Sequence, residues 1–349
     1  MTGDRNGASP RPGTRNAVLL VGGQGERLRP LTDSVPKPLV LVANRPLIWY
    51  AVEMLRRGGI SEVTLACGHK PGRLREGMER LGDLGVAIRF VEEDPPLDTA
   101  GAIRNGALGC RDTFVAMNGD QIMDADVRGV VARHQEHRAV LTIVLRRVSD
   151  ISAFGLVRCD DQWRVVEFRE KGAQDETGRN LINSGMYVFE PRVLDRIPAG
   201  VRYSNERQLF PELIAAGEPV YAAPMSEDAY WADVGTPQSY LAANAAILRG
   251  ALPHVPMLRA EDADLSPHAD LSGPVSLASG CYVAPGARVG PDTSIGEGAL
   301  IERDVVVRNS IIWPSARIGA GADLDGAIVG PGCHVPPGST VRGPTMVIA

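Results

Sequence analysis

Apolar residues over roughly the first 145 positions change period repeatedly. Short apolar runs at 17–21, 63–66, 87–91, 113–117 and 140–145 have the length and composition of strands. Between them, 46–57, 72–81, 99–108 and 126–137 carry helical patterns. Strands alternating with helices predict a parallel sheet with helices on both faces. Such sheets bind ligands beyond the carboxyl ends of their strands. The glycine-rich stretch 21–38 lies there, and so does Asn118-Gly119-Asp120. The next hundred residues are richer in strand pattern, with runs at 156–158, 165–169, 181–189 and 219–223 and helices at 206–216 and 237–248. Positions 250–262 read as a linker.

A third period begins after the linker. Large apolar residues recur every six positions at Leu265, Leu271, Leu277, Val283, Val289, Ile295, Ile301, Val307 and Trp313. The register slips by one to Ile318 and Leu324, and again to Val329, Val335, Val341 and Val347. Neither a helix nor an ordinary strand produces that spacing. It predicts a parallel β-helix over 263–349 whose apolar rungs point into a narrow core. Resemblance to hexapeptide-repeat proteins implies a left-handed one. The resulting division is a disordered tail at 1–15, a catalytic part at 16–249, the linker, and the β-helix.

Composition narrows the partners. The 349 residues are 44% hydrophobic and 23% charged, which suits a globular protein with ample core. A net charge of −5 gives no support to a nucleic-acid or membrane partner. No apolar run reaches membrane-spanning length, and the N-terminus has no apolar stretch of the secretory kind. Five scattered cysteines, none in a C-x-x-C pair, fit a reduced, cytoplasmic protein. His134 and His137 sit three apart on a predicted helix, where a solvated face is the simpler reading than a metal site.

The stretch VGGQGERLRPLTDSVPKP, 21–38, follows the first strand. A glycine-rich turn after a strand lets backbone N–H groups approach phosphates closely. It is no P-loop, because Glu26-Arg27 follows Gly25, and no dinucleotide fingerprint, because Leu28 stands where the third glycine belongs. Taken with Pro96-Leu97-Asp98-Thr99-Ala100-Gly101, Asn118-Gly119-Asp120, Glu170-Lys171, Asn183-Ser184-Gly185 and Trp231-Ala232-Asp233-Val234-Gly235, the chain resembles the nucleoside-diphosphate-sugar pyrophosphorylases. The tail looks like that of mannose-1-phosphate guanylyltransferase-like members.

The resemblance implies a Rossmann-like, mostly parallel mixed α/β sheet followed by a left-handed parallel β-helix. It also implies a reaction in which a sugar 1-phosphate attacks the α-phosphate of a nucleoside triphosphate, GTP favoured, with Mg²⁺ and release of pyrophosphate. Catalysis is then mostly positioning and charge stabilisation. Arg27 would meet the leaving pyrophosphate and Lys37 the α-phosphate; as isolated residues both would be ordinary surface cations. Asp120 and Asp233 would hold the metal. The competing readings are a turn or cap at Asp120 and an N-cap at Asp233, for which Thr236 is better placed. Gly22, Gly23, Gly25, Thr99, Gly101, Asn118 and Gly119 would surround the nucleotide, with Glu93 on the guanine or else in a solvated acidic turn. Gly155, Glu170, Lys171 and Asn183 would hold the sugar phosphate.

Three positions depart from the family pattern: Glu26, Asp98 and Gly172, where threonine, glycine and proline are usual. They mark either an unusual substrate such as a heptose or a cyclitol phosphate, for example valienol 1-phosphate, or drift; another triphosphate is a separate alternative to GTP. Two rival functions are an inactive regulatory subunit, which would lose the charged residues kept here, and an acyltransferase using His268 or His334 of the repeats. The repeats themselves suggest a homo-oligomer.

Overall fold

The computed structural model describes residues 14–68, 71–151, 154–169 and 179–348. The first strand, Asn16–Leu20, lies between Glu62–Cys67 and Phe114–Asn118, parallel to both. Ala87–Glu92 adds a further parallel strand beside Glu62–Cys67. The sheet becomes mixed at Leu181–Phe189, which runs antiparallel to Phe114–Asn118 and to Leu141–Arg147. With Leu156–Cys159, Val165–Arg169 and Val220–Pro224 it reaches nine strands.

Successive side chains of a strand point to opposite faces, and both faces here are covered. Val18 packs with Ala100, Ile103 and Phe210, whereas Ala17 and Leu19 pack with Ile48, Val52 and Leu55. The helices form at Leu47–Arg57, Pro71–Leu81, Asp98–Gly106, Val127–Glu136 and Pro237–Leu248. The helix expected over 206–216 divides into a π-helical turn, Asn205–Leu209, and a short α-helix, Phe210–Ala215. In that turn Leu209 N donates to the Ser204 carbonyl five residues back. The wider turn presents Glu206 and Arg207 to a cavity described below. Among the described residues no helix is long and apolar enough to cross a membrane.

The solvated-face reading of His134 is corrected. Val127, Val130 and His134 share the face that packs inward, and His134 is 1% exposed. Its Nδ1 lies 2.8 Å from Thr142 Oγ1 and its Nε2 3.2 Å from Glu190 Oε1. His137 stacks on Tyr221 at 4.3 Å. Burial pushes the His134 imidazole below its ordinary value, against the pull of Glu190. The unfolded chain, titrating near about 6.5, takes up this proton first as pH falls, so stability is lost downward from there. Melting temperatures measured between about pH 7.5 and 5.5 should therefore fall more steeply for the wild type than for His134→Gln. Parallel profiles would remove His134 from the pH response.

From Asp264 onward the strands pair in parallel with those three hexads later, Leu277 with Ile295 and Tyr282 with Leu300 among them. Leu277, Val283, Val289, Ile295, Ile301, Val307, Ile318, Leu324, Val329 and Val335 fill the core as the repeat predicted. Trp313 does not. Ile312 takes the inward position between Ile295 and Val329, and Trp313 points outward. The first slip thus falls one rung earlier than the spacing indicated. Positions 311–313 read Ile-Ile-Trp, so periodicity alone could not choose between them.

The outward Trp313 enters a core shared by both parts of the chain. Ile311, Trp313 and Ile328 of the β-helix pack with Tyr240, Ala243 and Ile247 of the helix Pro237–Leu248 and with Leu28, Leu31, Val40 and Val42. Leu252 and Val255, in the stretch expected as a linker, belong to the same cluster. Arg249 closes its edge with a bidentate pair to Asp292, at 2.9 and 2.5 Å.

Candidate active site

Four charged side chains predicted from the sequence converge. Lys37 follows the first strand's loop, and Asp120 follows the strand Phe114–Asn118. Asp233 reaches them through a two-stranded ribbon in which Trp231–Asp233 pairs antiparallel with Gln121–Met123, setting Asp233 opposite Gln121. Lys37 Nζ lies 2.7 Å from Asp120 Oδ2 and 4.0 Å from Asp233 Oδ1. Arg27 Nη2 lies 3.6 Å from Asp233 Oδ2. The lysine side chain is only 8% exposed, the arginine 64%. Lys37 is therefore held in place, whereas Arg27 is free to reach over the cleft. Gly235 makes room for it, since a Cβ there would fall 2.5 Å from Arg27 Nη2. Thr236 caps the following helix with its own hydroxyl, which leaves the Asp233 carboxylate to the site.

Two cavities meet at this cluster, sharing Asp98, Asn118 and Asp120 in their walls. The smaller, about 320 Å³, is lined by Gly22, Gly23, Lys37, Glu93, Thr99 and Gly119. Glu93 is 8% exposed, and its Oε2 accepts from Leu97 N at 3.0 Å. Burial raises its pKa, and the backbone hydrogen bond opposes the rise. The larger cavity, about 1020 Å³, is lined by Arg27, Gly155, Asn183, Glu206, Arg207 and an aromatic wall. In that wall Phe154 and Trp231 meet edge to face at 5.4 Å. Asn183 is tied into an irregularity of its own strand, accepting from Gly185 N and donating to the Tyr187 hydroxyl.

The other predicted residues divide between the cavities and the chain around them. Gly25, at φ 67°, caps the short 3-10 turn Glu26–Leu28, and Gly101 packs against Leu97 and the Val201 carbonyl; neither lines either of these two cavities. Thr99 lines the smaller cavity, and its hydroxyl also accepts from Asn205 N and donates to Glu206. Glu26 is exposed and lines neither cavity. Asp98 adopts φ 62°, a left-handed conformation that glycine takes freely. Its carboxylate accepts from Thr99 N at 2.8 Å and from Arg207 at 2.5 Å. Glu170, Lys171 and Gly172 lie outside the described residues.

Gln121 carried no mark in the sequence beyond following Asp120. It is 7% exposed, lines the larger cavity, and its Oε1 is buried with no hydrogen-bond partner among the described residues. A buried unpaired carbonyl costs about 1–3 kcal/mol, which a ligand hydroxyl would recover. Gly185, at φ 85°, permits this placement, because a Cβ there would lie 2.3 Å from that oxygen.

The two aspartates form a pair of carboxylates rather than a closed cage. Among the described residues no three His, Cys, Asp or Glu side chains converge as a metal site. A pair of carboxylates beside open space suits a hard cation that keeps waters and ligand oxygens in its shell.

The family described as nucleotidyl transferase matches residues 16–250, and that described as GMPPB C-terminal domain matches 271–349. A mannose-1-phosphate guanylyltransferase of Mycobacterium tuberculosis (strain ATCC 25618 / H37Rv) is 40% identical over 255 residues, covering 72% of this chain and 70% of that protein. A UTP–glucose-1-phosphate uridylyltransferase of Synechocystis sp. is 32% identical over 248 residues, 66% of this chain and 63% of the relative. The mannose-1-phosphate guanylyltransferase catalytic subunit beta of Drosophila melanogaster is 37% identical over 233 residues, 66% and 61% respectively. The matched stretch thus spans a little under two thirds of the length of the last two relatives. Among solved structures, HddC from Yersinia pseudotuberculosis matches with a TM-score of 0.59 at 26% identity, over 67% of this chain and all of that one. The same protein complexed with GMP-PN matches with a TM-score of 0.58 at 26% identity, again over 67% of this chain and all of that one.

Proposed function

The chain belongs to the nucleotidyl transferase family, and from that premise we propose that it joins a nucleoside triphosphate, GTP in preference, to a sugar 1-phosphate with release of pyrophosphate. The observation that carries this reading is the placement of Lys37, which lines the smaller cavity and is held by Asp120, a residue in the walls of both cavities, with Asp233 beside it. The smaller cavity would take the nucleotide and the larger the sugar phosphate, which brings the attacking oxygen to the α-phosphorus beside Lys37. That oxygen forms the new P–O bond as the bond to the β-phosphate bridging oxygen breaks. Lys37, a compact charge, would neutralise the α-phosphate, and Arg27, a planar fork, would take the leaving pyrophosphate. Asp120 and Asp233 would hold Mg²⁺, which when bound supplies further charge neutralisation at the phosphates.

Support for guanine comes from Glu93, whose carboxylate suits the N1–H and exocyclic amine of that base, from the guanylyltransferase relatives, and from the neighbour complexed with GMP-PN. The uridylyltransferase relative keeps the base a question for experiment. Triphosphates assayed against mannose, glucose, heptose and cyclitol 1-phosphates with Mg²⁺, scored by pyrophosphate release, test the reading. Silence across every combination would end it.

Gln121 Oε1 is proposed to accept a hydroxyl of the sugar-like substrate. Gln121→Leu should raise KM for the sugar phosphate roughly tenfold and leave KM for the triphosphate near its normal value. An unchanged KM for the sugar phosphate would free Gln121 of that role.

A further inference from the structure

The four charged residues of the site have a common support. Leu28 follows Arg27, Val40 closes the turn that begins at Lys37, Ile122 follows Asp120 by two positions, and Val234 follows Asp233; all four apolar residues lie in the core whose outer wall is Ile311, Trp313 and Ile328 of the β-helix. Between Lys37 and that wall stands a two-stranded hairpin in which Leu41 pairs with Pro46 and Val42 with Arg45. Its two turn residues, Ala43 and Asn44, have φ of 46° and 63°, a turn in which non-glycine residues persist only when their surroundings fix them.

Those surroundings come from the helix Pro237–Leu248 and from the β-helix. Asn44 Nδ2 donates to Ser276 Oγ and to the Ile295 carbonyl, each at 2.9 Å. Ala43 N donates to Asn244 Oδ1 at 2.9 Å, and that same oxygen accepts from Ser294 Oγ at 2.8 Å. The Tyr240 hydroxyl donates to the Leu41 carbonyl and accepts from Trp313 Nε1 at 3.2 Å. The Val42 carbonyl accepts from Tyr50 at 2.7 Å. Four consecutive residues are thus gripped, Leu41, Val42 and Ala43 by a backbone group and Asn44 by its side chain, and all but Val42 are tied to the β-helix directly or through one intervening side chain. A few residues upstream, Val40 N returns to the Lys37 carbonyl and completes the connection to the lysine.

We propose that the β-helix is a positioning element for catalysis: by gripping the 41–44 hairpin it fixes the loop that aims Lys37 at the phosphates. Asn44 and Trp313 act through Lys37 and touch no substrate. The proposal rests on the catalytic reading of Lys37 given above. Displacing a reacting group by about 1 Å can cost up to a hundredfold in rate, so a partial release of this loop should be visible in turnover.

The test uses the full chain with two variants. Asn44→Gly keeps the left-handed turn and deletes only the two hydrogen bonds to the β-helix. Trp313→Phe keeps an aromatic ring and deletes the donor to Tyr240. Amide hydrogen exchange over 37–46 should speed up about tenfold in each, with the β-helix core still protected. For the most active substrate pair, kcat should fall about tenfold while both KM values stay within about twofold. Adding Asn44→Gly to Lys37→Ala should cost nothing further, because the hairpin then has no lysine to aim. Unchanged exchange in both variants, a kcat within twofold of normal, or losses that simply add would each overturn the proposal. Should one variant fail to fold, the other decides. The exchange measurement needs no substrate, so a released loop in a protein without turnover supports the grip and counts against the proposed reaction.

Discussion

Lys37→Ala should lower kcat by two to three orders of magnitude, about 2.7–4 kcal/mol of lost transition-state stabilisation, and leave the protein folded. The size follows from position. Lys37 Nζ lies 2.7 Å from Asp120, is only 8% exposed, and lines the smaller cavity beside the wall that both cavities share at Asp120. A charge in so dry a setting acts on the phosphates with little solvent screening. Binding should suffer less than rate, since the charge that builds on the α-phosphate is largest in the transition state. The fold should tolerate the change because Asp120 is 38% exposed and can be hydrated once the amine is gone. Lys37→Arg should restore little, because a guanidinium fork is too broad for a niche that seats one ammonium between two carboxylates. Circular dichroism checks the fold, and pyrophosphate release gives the rate. A loss smaller than about tenfold would transfer the main electrostatic role to Arg27.

Much of this arrangement was legible in the sequence, for identifiable reasons. The strands and helices of the sheet announce themselves through period, because each buries a regular face. The β-helix does so more clearly still, since no other structure repeats large apolar residues at six. Legibility fails where an apolar or polar residue has two faces to choose from. Ile312 and Trp313 are both apolar, and only the docked catalytic part makes the tryptophan the outward one. His134 looked like surface because it is polar, yet its spacing from Val127 and Val130 placed it on the buried face.

The site divides in the same way. Arg27, Lys37, Asp120 and Asp233 could be named because they sit in motifs, and the fold brings them together. A motif does not say which members touch the ligand and which shape the chain. Gly25 and Gly101 belong to motifs, yet the first adopts a left-handed turn and the second packs under Val201, both away from the cavities. Glu26 departs from the family pattern beside Arg27, yet it is exposed and lines neither cavity. Gln121, Glu206 and Arg207 converge on the larger cavity only through tertiary structure, from an extended ribbon and a π-helical turn that no local pattern marks as a site.

Trp313→Ala should destabilise the protein by about 3–5 kcal/mol, the range for truncating a large buried aromatic side chain. Trp313 is 4% exposed and fills the boundary between the β-helix and the helix Pro237–Leu248. Its removal opens a cavity walled by both parts of the chain, and neither part can close it alone. The Tyr240 hydroxyl would lose one partner but keep the Leu41 carbonyl, so the cost comes chiefly from packing. The location makes the effect one of coupling as well as size. With a common core, the two parts should unfold together in the wild type; with that core broken, the β-helix, closed by its own rungs, should outlast the sheet. The other three tryptophans, Trp49, Trp163 and Trp231, all lie in the catalytic part. Their fluorescence therefore follows that part, while far-ultraviolet circular dichroism follows both. In urea the two signals should coincide for the wild type and separate for Trp313→Ala, with the fluorescence midpoint moving to lower urea. Coincident curves shifted by less than about 1 kcal/mol would mean that the two parts merely touch, and that the indole is not the wedge joining them.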